Sequence, residues 1–110
     1  MQVVLQLPSG ESVILPAADW TLGREGNDLC MISSVGDERR APLPAPIAQT
    51  LSREHARIRL WRGNLYVEDR YSANGTFLNG IPLRPLQPAV LESGDRLRLG
   101  ALQLQIALGD

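Results

Sequence analysis

The sequence predicts an all-β fold, a sandwich or a barrel of short strands, and three observations support this prediction. Brief stretches alternate between apolar and polar residues with period two, as strands with one buried face do. The 10 glycines and 8 prolines interrupt these stretches at short intervals. No window of a dozen residues shows convincing helical periodicity. Short strands joined by turns are therefore the expected architecture.

The alternating stretches occur at the start, in the middle and at the end of the chain. At the start, Val3, Leu5 and Leu7 share one face and the residues between them share the other. The apolar positions of the later stretches are Ala56, Ile58 and Leu60, then Leu97 and Leu99, then Leu102, Leu104, Ile106 and Leu108. We expect each stretch to be a strand that turns these positions toward the core.

Turn residues separate the predicted strands. Asn79-Gly80 lies between two short apolar segments and is the preferred pair for a type I′ hairpin, because both residues tolerate positive φ. Arg62-Gly63-Asn64 and the segment 92–95, which contains Gly94 and Asp95, are the next turn signals. They place hairpins after Trp61 and before Leu97.

The segment 33–49 breaks this rhythm. It contains Gly36, Pro42, Pro44 and Pro46 and shows no alternation. Because proline fixes φ and lacks a ladder donor, we expect a long surface loop with polyproline II character around residues 41–47. A structureless loop of this length is uncommon in a compact domain and is usually functional or mobile.

Length and composition indicate one domain spanning residues 1–110. A chain of 110 residues with 44% apolar and 21% charged residues is long enough to bury a core without staples. No stretch approaches the roughly 20 apolar residues of a membrane helix, and the start of the chain lacks a signal peptide's basic residues. The single cysteine, Cys30, excludes an intramolecular disulfide and a Cys-rich metal site. We therefore expect a cytoplasmic domain, monomeric in isolation, with no cofactor, no metal and no direct membrane insertion.

The charge balance argues against a nucleic-acid partner, because 11 basic residues stand against 12 acidic ones and the net charge is −1. All 11 basic residues are Arg. The base composition of a GC-rich bacterial genome explains this bias. Guanidinium forks that bind carboxylate or phosphate would explain it too, and composition alone does not separate the two.

Three short motifs place polar groups in or beside predicted turns. They are Gly23-Arg24, Ser52-Arg53-Glu54-His55 and Ser72-Ala73-Asn74-Gly75-Thr76. Because loops at one end of a sandwich converge, the motifs are expected to share a surface. That surface would present guanidiniums, hydroxyls, an amide and exposed N–H groups. Such donors suit a dianionic ligand with three oxygens, a phosphomonoester.

The order and spacing of these motifs resemble the forkhead-associated (FHA) domain family, and the resemblance covers nearly the whole chain, with the domain core at about residues 3–108. The matching elements are Gly23-Arg24, Asn27-Asp28-Leu29, Ser52-Arg53-x-His55-Ala56, Asp69-x-x-Ser72-x-Asn74-Gly75-Thr76, Asn79-Gly80 and Leu91-x-x-Gly94-Asp95-x-Leu97-x-Leu99-Gly100. The resemblance implies a two-sheet antiparallel β-sandwich of the FHA and SMAD type, which binds phosphothreonine peptides through loops at one end.

The resemblance also implies a role for each matching residue. Arg24 and Ser52 would contact the phosphate, and Arg53 would lie beside it. Asn74 would hold the peptide backbone, and Ala73 would touch the peptide near the phosphothreonine. Two positions before Ser52, Thr50 would help to choose the residue three after the phosphothreonine. His55 would brace the loops, and the remaining motif positions would be structural: Gly23, Gly75, Thr76, Asn79, Gly80, Gly94 and Asp95.

We thus predict a non-catalytic module that binds phosphothreonine-containing proteins or peptides, in bacterial Ser/Thr-kinase signalling or in secretion-system regulation. One alternative is an FHA-fold scaffold that binds a partner without regard to phosphate, through a sheet face or the Pro-rich loop. Another is a hydrolase that uses Ser52, His55 and Asp69, although no Gly-x-Ser-x-Gly elbow supports it.

The Pro-rich segment is longer than the family's usual connection and leads into Ser52. We expect it to form a mobile flap beside the site. Phosphorylation of Ser33, Ser34 or Thr50 within this region would then compete for the binding surface.

Overall fold

The computed structural model describes residues 1–17 and 19–109, and these residues form two six-stranded sheets around one hydrophobic core. A four-residue helix, α1 (Ala45–Ala48), lies between the fifth and sixth strands. The strands in chain order are β1 (Gln2–Gln6), β2 (Ser12–Pro16), β3 (Trp20–Glu25), β4 (Asp28–Ser33), β5 (Glu38–Pro42), β6 (Ala56–Trp61), β7 (Asn64–Asp69), β8 (Thr76–Leu78), β9 (Ile81–Pro82), β10 (Ala89–Val90), β11 (Arg96–Leu99) and β12 (Leu102–Gly109).

Every ladder between named strands is antiparallel. The first sheet has the order β2-β1-β12-β11-β8-β9, and the second has the order β10-β7-β6-β3-β4-β5. In the second sheet β3 pairs with both β4 and β6, so that Thr21 lies opposite Ile32 on one side and Arg57 on the other. The predicted two-sheet antiparallel β-sandwich is therefore confirmed.

The alternation in the sequence accounts for the core. In β1 the side chains of Val3 and Leu5 are buried while Gln6 is exposed, and β12 buries Leu102, Leu104 and Ile106 in the same way. The large side chain of Trp20 is almost fully buried, and its indole N–H donates to the carbonyl of Pro16 at 2.9 Å. The polar end of the indole thus remains hydrogen-bonded inside the apolar core.

The Asn79-Gly80 turn has the conformation that the sequence predicts, and a second hairpin turn shares it. Asn79 and Gly80 have φ values of 51° and 84° and connect β8 to β9. Arg62 and Gly63, with φ values of 50° and 79°, connect β6 to β7. Positive φ at both central residues is what a type I′ turn requires, and its twist matches that of the strands it joins.

The prediction of a structureless Pro-rich loop at residues 33–49 is wrong. Most of this segment is regular: β5 pairs with β4 along its whole length, and α1 follows. The strand lies at the edge of the sheet and buries only Ala41, so its sequence shows charges instead of alternation. Pro42 is tolerated because it ends an edge strand, and Pro44 and Pro46 fit because the first helical turn needs no N–H donors there.

The expected mobile flap is likewise not observed. Ala48 and Leu51 are buried in the protein interior, and Ile47 packs against the core. Ser33 is buried and its hydroxyl accepts hydrogen bonds from the amides of Val35 and Asp37, so it is not an accessible modification site. Across the described residues, no helix has the length and apolar character of a membrane span.

Candidate functional site

The segment that leads into β6 runs alongside β3 and brings two of the motifs together. The amide of Arg24 donates to the carbonyl of Ser52 at 3.1 Å, and the amide of His55 donates to the carbonyl of Leu22 at 2.8 Å. Between these two bonds lies Gly23, where a Cβ atom would be 1.7 Å from the carbonyl oxygen of Arg53. Only glycine allows this approach, which explains the Gly-Arg pair in physical terms.

The guanidinium of Arg24 is positioned by backbone carbonyls. Its Nε donates to the carbonyl of Leu51 at 3.1 Å and its Nη1 donates to that of Gly26 at 3.3 Å. Within the described residues no carboxylate forms an ion pair with it. The side chain is half-buried, so the group is held in place while its positive charge stays available to a ligand.

The loop before β8 lies against the same segment. The hydroxyl oxygen of Ser52 accepts a hydrogen bond from the amide of Ala73 at 3.0 Å, which leaves the hydroxyl proton free to be donated. The Nδ2 of Asn74 donates to the carbonyl of Thr50 at 2.9 Å. The structure therefore brings Arg24, Ser52, Ala73 and Asn74 together, in the way that the convergence of the loops predicts.

The remaining predicted contact residue, Arg53, lies on the same surface. Arg53 is exposed, as are Ala73 and Asn74, and it lines a groove together with Arg24. No ion pair engages the Arg53 guanidinium within the part of the chain that the structure describes. The surface thus combines two guanidiniums, a serine hydroxyl and a side-chain amide.

His55 ties the two loops together from beneath. It is fully buried; its Nδ1 accepts from the amide of Ser52 at 3.0 Å, and its Nε2 lies 2.9 Å from the carbonyl of Gly75. This pattern fixes the neutral tautomer with the proton on Nε2. Burial lowers the pKa of His55, although the Gly75 carbonyl and the charge of Asp69 act in the opposite direction.

Asp69 organises the loop before β8. Its carboxylate accepts hydrogen bonds from the amide and hydroxyl of Ser72 and, at 2.7 Å, from the hydroxyl of buried Thr76. The Ser72 hydroxyl in turn accepts from the amide of Gly75 at 3.0 Å. Asp69 and Ser72 belong to the sequence pattern, but the pattern did not predict that they organise this loop. Their three-residue spacing, which is typical of Asx turns, was the available signal.

Thr50 has a structural function that the sequence did not indicate. Its hydroxyl donates to the carbonyl of Ile47 at 2.7 Å and accepts from the amide of Ala101 at 2.9 Å. A Cβ atom on Gly100 would lie 2.6 Å from the carbonyl oxygen of Thr50, so the β11–β12 turn packs closely against this residue. The role of Thr50 in peptide specificity stays a prediction.

The four other motif positions lie away from this surface. The Nδ2 of Asn79 donates to a carboxylate oxygen of Asp95 at 3.0 Å, and the amide of Gly94 donates to the carbonyl of Ile106 at 2.8 Å. Because β8 runs from Thr76 to Leu78, the Asn79-Gly80 turn that follows it is at the opposite end of β8 from Thr76. These residues connect strands at the ends of β8 and β11 that are opposite to Thr76 and Gly100.

The residues of the hydrolase alternative do not form a catalytic triad. Both ring nitrogens of His55 face backbone groups, and Asp69 is bound to Ser72 and Thr76. The Ser52 hydroxyl accepts from an amide instead of donating to the imidazole. A triad requires serine, histidine and carboxylate in one hydrogen-bonded series.

A second group of polar residues lies beside Arg24 and was missed by the sequence reasoning. The Sγ of Cys30 and a carboxylate oxygen from each of Glu25 and Glu38, all atoms that can bind a metal ion, lie within 4.8 Å of one another. The guanidinium of Arg40 pairs with Glu25, with Asp28 at 3.2 Å and with Glu38 at 3.3 Å, so it supplies the positive charge of this cluster. Burial, followed by the charge of Glu38, raises the pKa of the Cys30 thiol and keeps it protonated, which is unfavourable for metal ligation.

The fold and this cluster of loop residues define a β-sandwich module with a surface of hydrogen-bond donors at one end. The family model for the FHA domain matches residues 20–100. The chain therefore belongs to the FHA domain family.

Solved structures agree with this assignment. A structure from a structural and functional analysis of phosphothreonine-dependent FHA domain interactions matches 100% of this chain and 99% of its own, with 27% identity and a TM-score of 0.70. The FhaA FHA domain, crystallised in complex with the intracellular domain of Rv3910, matches 94% of this chain and 98% of its own, with 28% identity and a TM-score of 0.67.

Two curated relatives match about half of the chain. Protein FraH of Nostoc sp. (strain PCC 7120) is 45% identical over 53 residues, and the glycogen accumulation regulator GarA of Mycolicibacterium smegmatis is 40% identical over 60 residues. These matches cover 48% and 54% of this chain but only 18% of FraH and 36% of GarA. The similarity is thus confined to a part of each relative.

Proposed function

We propose that this domain binds phosphothreonine-containing segments of partner proteins, without catalysis, in bacterial Ser/Thr-kinase signalling or secretion-system regulation. The observation that supports it most is the state of Arg24, whose guanidinium is held by two carbonyls and by no carboxylate in the described residues. The phosphothreonine-dependent interactions named for a similar FHA structure support this ligand class, and the glycogen accumulation regulator GarA among the relatives supports a regulatory role.

In this proposal each contact residue contributes a different part of the recognition. Arg24 and Ser52 donate to the phosphate oxygens, and exposed Arg53 adds positive charge beside them. The Asn74 side chain, already bound to Thr50 through its nitrogen, uses its oxygen to accept a backbone N–H of the peptide. Because the loops are joined through Ser52–Ala73 and His55–Gly75, little ordering remains to be done on binding.

The test compares one fluorescent peptide in its Thr and phospho-Thr forms by anisotropy. We expect binding only of the phosphorylated form. Arg24→Ala should weaken it by about a hundredfold or more, since two charge-assisted hydrogen bonds are lost. Arg24→Lys should recover only part of the loss, because an ammonium lacks the planar fork.

Arg96→Ala is the matched control. Arg96 is exposed at the start of β11, the end of that strand remote from Thr76 and Gly100. The Arg96→Ala variant should bind the phosphorylated peptide with the affinity of the unmodified domain. Equal losses in the Arg24 and Arg96 variants would mean nonspecific charge attraction, and equal binding of both peptide forms would favour the phosphate-independent scaffold instead.

A further inference from the structure

A groove on the outer face of the second sheet adjoins the proposed phosphate-binding residues. It has a volume of about 550 Å³ and is lined at one end by Arg24 and Arg53, near the end of β3. At its other end lies Asp19, which immediately precedes β3. An extended strand advances about 3.3 Å per residue, so the groove follows β3 for roughly the length of five residues.

The middle of this β3 groove is formed by a row of side chains across three strands. Ile32, Thr21 and Arg57 are cross-strand partners and therefore share one face. Their neighbours Leu22 and Met31 are fully buried and point to the core, so the row faces outward. Ile32 is 45% exposed, and it is the large apolar side chain of the groove.

The charges of the groove are unequal at its two ends. Asp19 lies 3.7 Å from the guanidinium of Arg57, so these two charges offset each other at the far end. Glu25 is paired with Arg40. Within the described residues, neither Arg24 nor Arg53 has such a partner, and their two positive charges exceed the one unpaired carboxylate of the groove, that of Glu54. A dianion is therefore favoured at the Arg24 end, and an uncharged group is favoured beside Ile32.

We propose that the β3 groove binds an extended segment of the same polypeptide that carries the phosphothreonine, with an apolar side chain packed against Ile32. This inference rests on the proposed function, since the phosphate fixes one end of the segment at Arg24. Thr21 lies three residues from Arg24 along β3, so the row that contains Ile32 is about 10 Å from Arg24 when measured along the strand backbone. Ile32 is then a specificity-determining residue.

The experiment uses fluorescent peptides and the domain as it exists. A short probe has phosphothreonine with two alanines on each side. Longer probes carry four additional residues at the N-terminus or at the C-terminus. In each of these probes one of the four added residues is leucine or aspartate, and its position is moved along the extension from probe to probe. We expect one leucine extension to improve the affinity by about fivefold, as partial burial of one such side chain would. The corresponding aspartate extension should give no gain.

Variants separate the groove from the phosphate site. Ile32→Asp should abolish the gain from leucine and leave binding of the short probe unchanged. Thr21→Gln, which adds bulk beside Ile32, should do the same, so the conclusion does not depend on one substitution. Ile14→Asp is the matched control, because Ile14 is 51% exposed on a strand of the other sheet, and it should change neither affinity.

The outcomes distinguish this inference from the proposed function. If the short phosphorylated probe does not bind, or binds no better than its Thr form, the proposed function fails. If the short probe binds but no leucine extension helps, or if Ile32→Asp preserves the gain, the β3 groove proposal is overturned while the phosphothreonine site remains. Circular dichroism of each variant verifies that the sheets are intact.

Discussion

Removal of the His55 side chain should reduce both the stability of the domain and its affinity for a phosphothreonine peptide. The imidazole is fully buried and joins the amide of Ser52 to the carbonyl of Gly75. In His55→Ala both backbone groups lose their partner, at about 1–3 kcal/mol each, and a cavity remains. We therefore expect the free energy of unfolding to fall by about 3–5 kcal/mol, a large part of the 5–15 kcal/mol typical of such domains.

The loss is measured by urea denaturation at pH 7.5, followed by far-UV circular dichroism. Binding is measured by anisotropy under conditions where the variant is still folded, and it should weaken by about tenfold, because the loops that carry Ser52 and Gly75 are no longer held together. Thr50→Ser, which keeps a hydroxyl between Ile47 and Ala101, serves as a control of small effect. A cost below about 1 kcal/mol in His55→Ala, with unchanged affinity, would refute the bridging role.

Three further predictions follow from the same contacts. Burial lowers the pKa of His55, so that at mildly acidic pH the unfolded chain binds a proton that the folded domain does not. The free energy of unfolding should therefore decrease as the pH falls below 6.5, the ordinary pKa of histidine. Because His55 is the one histidine of the sequence, His55→Ala should lose this dependence between pH 5 and 7. Gly23→Ala should lower the free energy of unfolding by about 3 kcal/mol or more, because the new Cβ atom would collide with the Arg53 carbonyl. Gly26 has open space around it, so Gly26→Ala should cost only the roughly 1–2 kcal/mol of holding an alanine at positive φ. Equal costs of the two variants in urea denaturation would contradict the steric argument. Arg40→Gln should weaken phosphopeptide binding by about threefold by leaving Glu25 unpaired beside Arg24, and adding Glu25→Gln should restore it; a double variant as weak as the single one would exclude this electrostatic cause.

The sequence predicted the fold well where one side of a strand is apolar. The β1 and β12 positions that alternate in the sequence are the ones buried in the core, and the Asn79-Gly80 turn has the dihedral angles that its residues favour. In these elements the local preference of the residues agrees with their tertiary environment, so the local sequence is sufficient to predict them.

The prediction failed where tertiary pairing outweighs local preference. β5 contains one buried residue, Ala41, and its edge position makes charged residues and a terminal proline acceptable. Nothing in the local sequence distinguishes such a strand from a loop. The role of Thr50 was hidden for a similar reason, because its partner Ala101 is distant in the chain.

The pairing of β5 with β4 shows how the segment 33–49 contributes to the proposed site. Strand β5 places Arg40 where its guanidinium pairs with Glu25 and Asp28, the acidic residues on either side of the β3–β4 turn. Without that strand, two carboxylates beside Arg24 would compete with a phosphate for its charge. Arg24 itself is oriented by carbonyls, which fix its position without neutralising it. The edge strand and the carbonyl contacts therefore act together to preserve a positive charge at the one position where the proposed ligand needs it.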